Sequence, residues 1–290
     1  MTHIAPSELI LNPDGSIYHL GVRPGELATT IITVGDPERV AKVSRHFDSI
    51  EVKRQKREFI THTGFIGNRR ITVMSSGIGP DNIDIVINEC DAIFNIDLET
   101  KLPKTTHQPL NFIRLGTSGC IQPDIAVDNI LVSEYGIGLD GMLAYYKRDL
   151  SEDEVALEKA FYDHCASIDL PLKVQVAKAH HPKMQIPSNI HRGITLTCAG
   201  FYGPQSRQLR AAPKAPGLLD HLSSFKYKKH PITNLEMESA AIFGLCNILG
   251  HRSIAINTLI ANRANLTFSK DPKKAVAGMI TSALGWIVEG

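Results

Sequence analysis

The chain has 290 residues, 43% of them hydrophobic, enough to bury a substantial core as one large α/β domain or two small ones. Its 31 basic residues nearly balance 30 acidic ones for a net charge of +1, so no polyanion-binding field is implied and nucleic acid is not an expected partner. Five cysteines without a CxxC pair, a start lacking a basic-then-apolar leader, and no run near the roughly 18 apolar residues of a membrane helix point to a soluble, cytoplasmic protein with no membrane contact.

Residues 28–34, ATTIITV, predict a strand, and Asp36-Pro37 then opens a helix in N-cap and first-turn positions. Residues 58–77 predict a hairpin that turns at Gly67-Asn68. GIGPDN feeds an apolar helix over roughly 81–96, and the polar run 97–109 reads as a surface insertion before the strand FIRLG. Gly116 to Gly119 reads as a turn beyond that strand, and NILVSE (129–134) as the next strand. A helix is expected over 152–168 with Val155, Phe161, Cys165 and Ile168 on its apolar side. Strands near 173–179 and 193–199 lead to a loop rich in arginine and proline. The helix EMESAAIFGLCNILG (236–250) ends at Gly250, SIAINTLIAN (253–262) reads as a central strand, and Asp-Pro opens a last helix. No linker or repeat divides the chain. A single α/β domain over 1–290 is expected, with a mixed, mostly parallel sheet flanked by helices and with 1–15 as an N-terminal extension.

Arg114 is a poor choice for a buried strand unless something negative sits beside it. The glycines, hydroxyls and backbone N–H groups just after it suit a small oxyanion, phosphate first. Arg39 stands one helical turn past Gly35, so two strand ends each pair glycine with arginine where α/β sheets bind ligands. There is no GxxxxGK[ST], no GxSxG and no HExxH, which argues against an NTPase, a serine hydrolase and a zincin. His180-His181 would face opposite sides of a strand and reads as two surface histidines, so no metal is expected. The carboxylates of Glu236-Met237-Glu238-Ser239 have two readings: acceptors for a vicinal diol, or acidic residues favouring a helix N-terminus. In FYGPQSRQLR (201–210), Phe201 can stack on a heterocycle, Gln205 can read a ring N–H and carbonyl together, and Arg207 can stabilise negative charge on a leaving base.

The ordered set GDPER, REF, GIGP, RLGTSG, FYGPQSR, EMES and IANR resembles the nucleoside phosphorylase-I family, and within it the uridine phosphorylase branch, over roughly residues 16–290. The Gln-x-Arg loop with Asn262-Arg263 points to the branch, since purine enzymes usually carry Ser-Asp at the latter place. The resemblance implies a phosphate pocket of Gly35, Arg39, Arg114 and Thr117, with Arg57 reaching in from a neighbouring subunit. It implies a ribose wall of Met237 and Glu238, with His19 supplied across a dimer to the 5′-hydroxyl. The base would meet Phe201, Gln205 and Arg207, supported by Arg263, and Arg207, Gln205 and Arg114 would carry the catalytic load. The implied reaction is reversible phosphorolysis of uridine to uracil and ribose 1-phosphate in pyrimidine salvage. It needs inorganic phosphate as co-substrate and no cofactor, and the implied assembly is a homo-oligomer of dimers, a hexamer. A purine or broad-specificity phosphorylase, a nucleosidase using water, and an inactive nucleoside-binding protein stay open as alternatives.

Overall fold

The computed structural model describes residues 3–168, 170 and 173–290. In chain order the elements begin with β1 (Thr30–Val34), α1 (Pro37–Ser44), β2 (Ser49–Lys56), β3 (Phe59–Ile66), β4 (Arg69–Ser75) and α2 (Pro80–Asn95). The two-residue strands β5 (Ile96–Asp97) and β6 (Leu102–Pro103) precede β7 (Asn111–Cys120), β8 (Ile130–Leu139), α3 (Glu152–His164), β9 (Gln175–Lys178) and β10 (His191–Cys198). The chain continues with α4 (Leu218–Ser223), β11 (Lys226–Tyr227), β12 (His230–Glu236), α5 (Ser239–Ile248), β13 (Arg252–Asn262), β14 (Thr267–Phe268) and α6 (Pro272–Val288).

A mixed sheet of twelve strands threads the molecule in the order β11-β12-β10-β8-β13-β7-β1-β4-β3-β2, with β14 on β13 and β9 on β8. Its inner pairings are parallel, β4–β1–β7–β13 on one side and β8–β10–β12 on the other, joined by the antiparallel pair β13–β8. β12 also pairs antiparallel with the far end of β7, Asn234 opposite Cys120 and Leu235 opposite Gly119. That ladder closes β7, β13, β8, β10 and β12 on themselves, and it brings the end of β12 against the second half of β7.

Strand alternation divides the core between the two faces of the sheet. Ile31, Phe112 and Ala255 pack with α2 and α5, whereas Ile32, Ile113 and Ile254 pack with α1 and α6. Leu9, Ile17, Leu20 and Val22 of the N-terminal segment join the α2–α5 side, and α3 and α4 cover the strands from β8 to β12. All five cysteines are buried and free, and burial pushes the Cys165 thiol up to about 11 and Cys198 up to about 12. No described helix is long and apolar enough to cross a membrane.

The hairpin at Gly67-Asn68, the Asp36 N-cap with Pro37 behind it, and the Asp271 N-cap of α6 fall where the sequence places them. Two expectations are corrected. Gly116 to Gly119 is strand, not turn: β13 pairs with β7 from Asn111 to Cys120, and β12 holds its end, so cross-strand hydrogen bonds outweigh two glycines. α3 ends at His164, and Val155 is 53% exposed. The buried stripe is Leu157, Phe161 and Cys165 at i, i+4 and i+8, and Val155 lies two residues off it, on the far side of the helix. β2 was not legible at all, because six of its eight residues are exposed and leave no apolar alternation to read.

Candidate active site

The carboxyl ends of β1, β4 and β7, the end of β12 and the start of α5 surround a cavity of about 280 Å³. Two guanidiniums form one end of it. Arg39 is delivered by the first turn of α1, which Asp36 caps, and its Nη1 donates to the Leu115 carbonyl at 3.1 Å. Burial, and then the charge of Arg114, push Arg39 below the ordinary arginine range. Arg114 is 7% exposed on the face of β7 that looks toward α5. Its Nη1 donates to Asn257 Oδ1 at 2.8 Å, its Nη2 donates to Glu238, and Glu236 Oε2 is 3.3 Å away. Burial opposes the Arg114 charge, but Glu238 and then Glu236 outweigh it and raise its pKa. Gly35 and Thr117 line the same end, so two fixed cations, a hydroxyl and a strand-end backbone converge on a volume suited to an oxyanion.

Glu236, Met237 and Glu238 make the adjoining wall, and the two readings of this motif divide between its two carboxylates. Glu236 serves the helix: it accepts from the Glu238 and Ser239 backbone N–H groups at 3.0 Å and from Thr197 Oγ1 at 2.7 Å. Burial raises its pKa despite the pull of Arg114. Glu238 makes no cap to α5 and faces the cavity instead, accepting from Gly79 N–H at 2.8 Å and from Arg114. Gly79 reaches it from a backbone with φ 106, which favours glycine. A carboxylate held at this height above two arginines can accept from both hydroxyls of a diol.

The opposite end of the cavity is the loop after β10. A 3-10 turn at Gly203–Gln205 and a positive φ of 53 at Ser206 fold it back on itself. Gln205 is 2% exposed, and its Oε1 accepts from Arg207 Nη1, which also donates to the Phe201 carbonyl at 2.8 Å. The Arg207 guanidinium stacks 3.8 Å from the Phe201 ring centroid, while burial and the nearby Arg263 charge lower its pKa. Arg263 does not line the cavity. It donates to the Gln205 carbonyl at 2.9 Å and so braces the loop from behind.

Nine of the residues singled out in the sequence therefore share one cavity: Gly35, Arg39, Arg114, Thr117, Met237, Glu238, Phe201, Gln205 and Arg207. His19 and Arg57 do not line it. His19 is anchored to α2 by Glu89, which accepts from its Nδ1 at 2.6 Å and from its backbone N–H, in a groove formed with the N-terminal segment. Arg57 sits at the β2–β3 turn with φ 52, its guanidinium 5.7 Å from the Tyr18 ring, so the two lie on one patch around Tyr18. Apolar Ile78, Leu235, Ile260 and Phe268 complete the walls and carried no sequence signal of their own. Glu236 and Asn257 were missed as supports of Arg114. A polar residue amid the β-branched run SIAINTLIAN was the available sign for the second.

Among the described residues, ligand atoms of Asp91, His107 and His251 lie within 4.8 Å of one another. The Leu110 N–H donates to His251 Nδ1 at 3.2 Å, so the neutral ring carries its proton on Nε2, which faces Asp91 Oδ1 at 3.1 Å. That is an Asp–His pair rather than a metal donor set. His181 lies 3.4 Å from Glu134 and joins no such group.

The cavity thus sets two guanidiniums, a carboxylate and the Phe201–Gln205–Arg207 loop in one row. A family model described as the phosphorylase superfamily matches residues 29–281, and the chain belongs to that superfamily. It is 29% identical to a uridine phosphorylase of Thermococcus kodakarensis over 282 residues, 95% of this chain and 88% of that one. It is 28% identical to a uridine phosphorylase of Haemophilus influenzae over 280 residues, 92% of this chain and 97% of that one. The solved structure of a Trypanosoma brucei nucleoside phosphorylase, described as showing uridine phosphorylase activity, superposes with a TM-score of 0.85 at 28% identity. It covers 97% of this chain and 100% of its own.

Proposed function

We propose that the protein is a uridine phosphorylase, catalysing the reversible reaction of uridine and phosphate to uracil and ribose 1-phosphate. The observation that carries the reading is the order of groups along one cavity: Arg39 and Arg114, then Glu238, then Gln205 and Arg207. The two arginines hold phosphate beneath the sugar. Glu238 accepts from the 2′ and 3′ hydroxyls with Met237 against the ring. Gln205 pairs with the uracil N–H and carbonyl while Phe201 and Arg207 flank it.

The glycosidic bond weakens through an oxocarbenium-like state, and the bond electrons leave with the base. Phosphate stabilises the cation and then forms the new bond to C1′, and the proton that its oxygen loses ends on the departed uracil anion, so no covalent enzyme intermediate is required. Arg207 favours the departing uracil anion by charge placement, and the row of contacts supplies the alignment of phosphate with C1′. Inorganic phosphate is the co-substrate, with no metal or organic cofactor. His19 and Arg57, both outside the cavity of their own chain, are assigned to the neighbouring subunit's site, in dimers that assemble as a hexamer. The role is cytoplasmic pyrimidine salvage by one phosphorylase domain, with 1–15 as an extension and 97–109 as a surface insertion.

A purine site would call for an acid near the base, whereas Arg207 and Arg263 stand at that end. Ultraviolet-monitored cleavage of uridine, thymidine and inosine, each with and without phosphate, tests the reading. Loss of uridine only with phosphate supports it. Cleavage of inosine alone moves the site to purines, and no cleavage of any leaves a binding protein.

A further inference from the structure

Asn257 lies in the middle of β13, fully buried, between β7 and β8. Only its carbonyl side is engaged: Oδ1 accepts from Arg114 Nη1 at 2.8 Å, and because arginine only donates, the amide's orientation is settled. Its Nδ2 has no hydrogen-bond partner among the described residues. A sealed, unsatisfied donor costs stability, so this asparagine is not explained by its benefit to the strand. Gly116 completes the arrangement. A Cβ at that position would lie 1.6 Å from Arg114 Nη1 and 2.5 Å from Asn257 Oδ1, so the guanidinium is folded over bare backbone to reach the amide.

Resting on the phosphorylase reading, we propose that Asn257 is the positioning residue of the phosphate site. It clamps one nitrogen of Arg114 so that the other stays directed at the Glu238 wall and the bound anion. The neutrality of the clamp is part of its function. Arg114 already faces Glu236 and Glu238, and Arg39 faces Asp36 and Glu238, so the local carboxylates offset both cations. A third carboxylate on Arg114 would hold the geometry and repel a phosphate dianion; an amide holds the geometry alone.

The test is steady-state kinetics on the purified full chain, resolving KM for phosphate, KM for uridine and kcat, with thermal melting alongside. Asn257→Ala is expected to raise the phosphate KM about tenfold, the loss of one charge-assisted hydrogen bond, with the uridine KM changing less than about twofold. The isosteric Asn257→Asp keeps the acceptor and is expected to raise the phosphate KM at least as much. A phosphate KM unchanged in Asn257→Ala overturns the positioning role, as does an equal rise in both KM values that follows the loss of melting temperature. Wild-type phosphate affinity in Asn257→Asp overturns the argument from neutrality. A wild-type chain that cleaves no uridine in phosphate overturns the functional reading on which this one stands, which separates the two failures.

Discussion

Arg207 is held on three sides, by the Phe201 ring, the Phe201 carbonyl and Gln205, and none of these contacts ties it to the core of the sheet. Arg207→Ala is therefore expected to lower kcat on uridine by on the order of 100- to 1,000-fold while leaving the melting temperature near wild type. Near-normal turnover would remove it from the leaving-group role. Gly116→Ala makes the opposite kind of change. Its methyl group occupies the place of Arg114 Nη1 and crowds Asn257 Oδ1, so the guanidinium must leave its Asn257 contact and swing into the cavity, and phosphate-dependent cleavage should fall by about 100-fold or more. The residues that line the cavity were legible because charged and amide side chains in strand-end motifs have few structural uses. The division between Glu236 and Glu238 was not, because which carboxylate turns to the helix depends on the end of β12, and that is set by its pairing with β7.

At the scale of elements, Asp153 pins α3 to three strands. Its carboxylate accepts from Tyr135 of β8 and Lys178 of β9 at 2.8 Å, from Tyr227 of β11 at 2.8 Å, and from Lys228. Burial works against the charge, but these donors hold the carboxyl below the usual carboxylate range. A depressed folded-state value means the contribution is present above the unfolded value near 4 and lost as pH falls. Asp153→Asn should cost about 1–3 kcal/mol at neutral pH. The gap from wild type in urea titrations should narrow steadily below about pH 4; a gap independent of pH would show that the charge is not what matters. Most helices and central strands could be read from period and caps, as at Asp36-Pro37 and in SIAINTLIAN. What could not be read was set by neighbours: β7 runs on through two glycines because β13 and β12 flank it, and exposed β2 takes its strand form from pairing with β3.

For the whole molecule, two side chains that the resemblance assigns to a site stand away from the cavity of their own chain, His19 against Glu89 and Arg57 beside Tyr18. If sites are shared between subunits, two inactive variants should complement. Mixed and reassembled Arg57→Ala and Glu238→Ala chains should recover about a quarter of wild-type activity, because half the pairs are mixed and half their sites carry neither substitution. Additive residual activity would mean that each chain works alone. The assembly itself was read from resemblance alone, because composition and periodicity carry no sign of which surface meets a second copy.

The pairing of β12 with β7 has a bearing on motion. Thr117 of β7 and Glu236 of β12, which both line the cavity, belong to strands that share one hydrogen-bond ladder. The spacing between the anion and diol positions is thus set by backbone pairing, whereas the base loop closes through local bonds such as Arg207 N–H to the Tyr202 carbonyl. On the proposed function, entry and exit of a nucleoside are then expected to be a movement of the base end toward and away from a stationary ruler. In native-state hydrogen exchange, the ladder amides around Gly119 and Leu235 should open only with global unfolding, and those of 203–207 far sooner. On the proposed function, a nucleoside whose diol cannot reach Glu238 while its C1′ faces the two arginines is expected to be refused at the sugar.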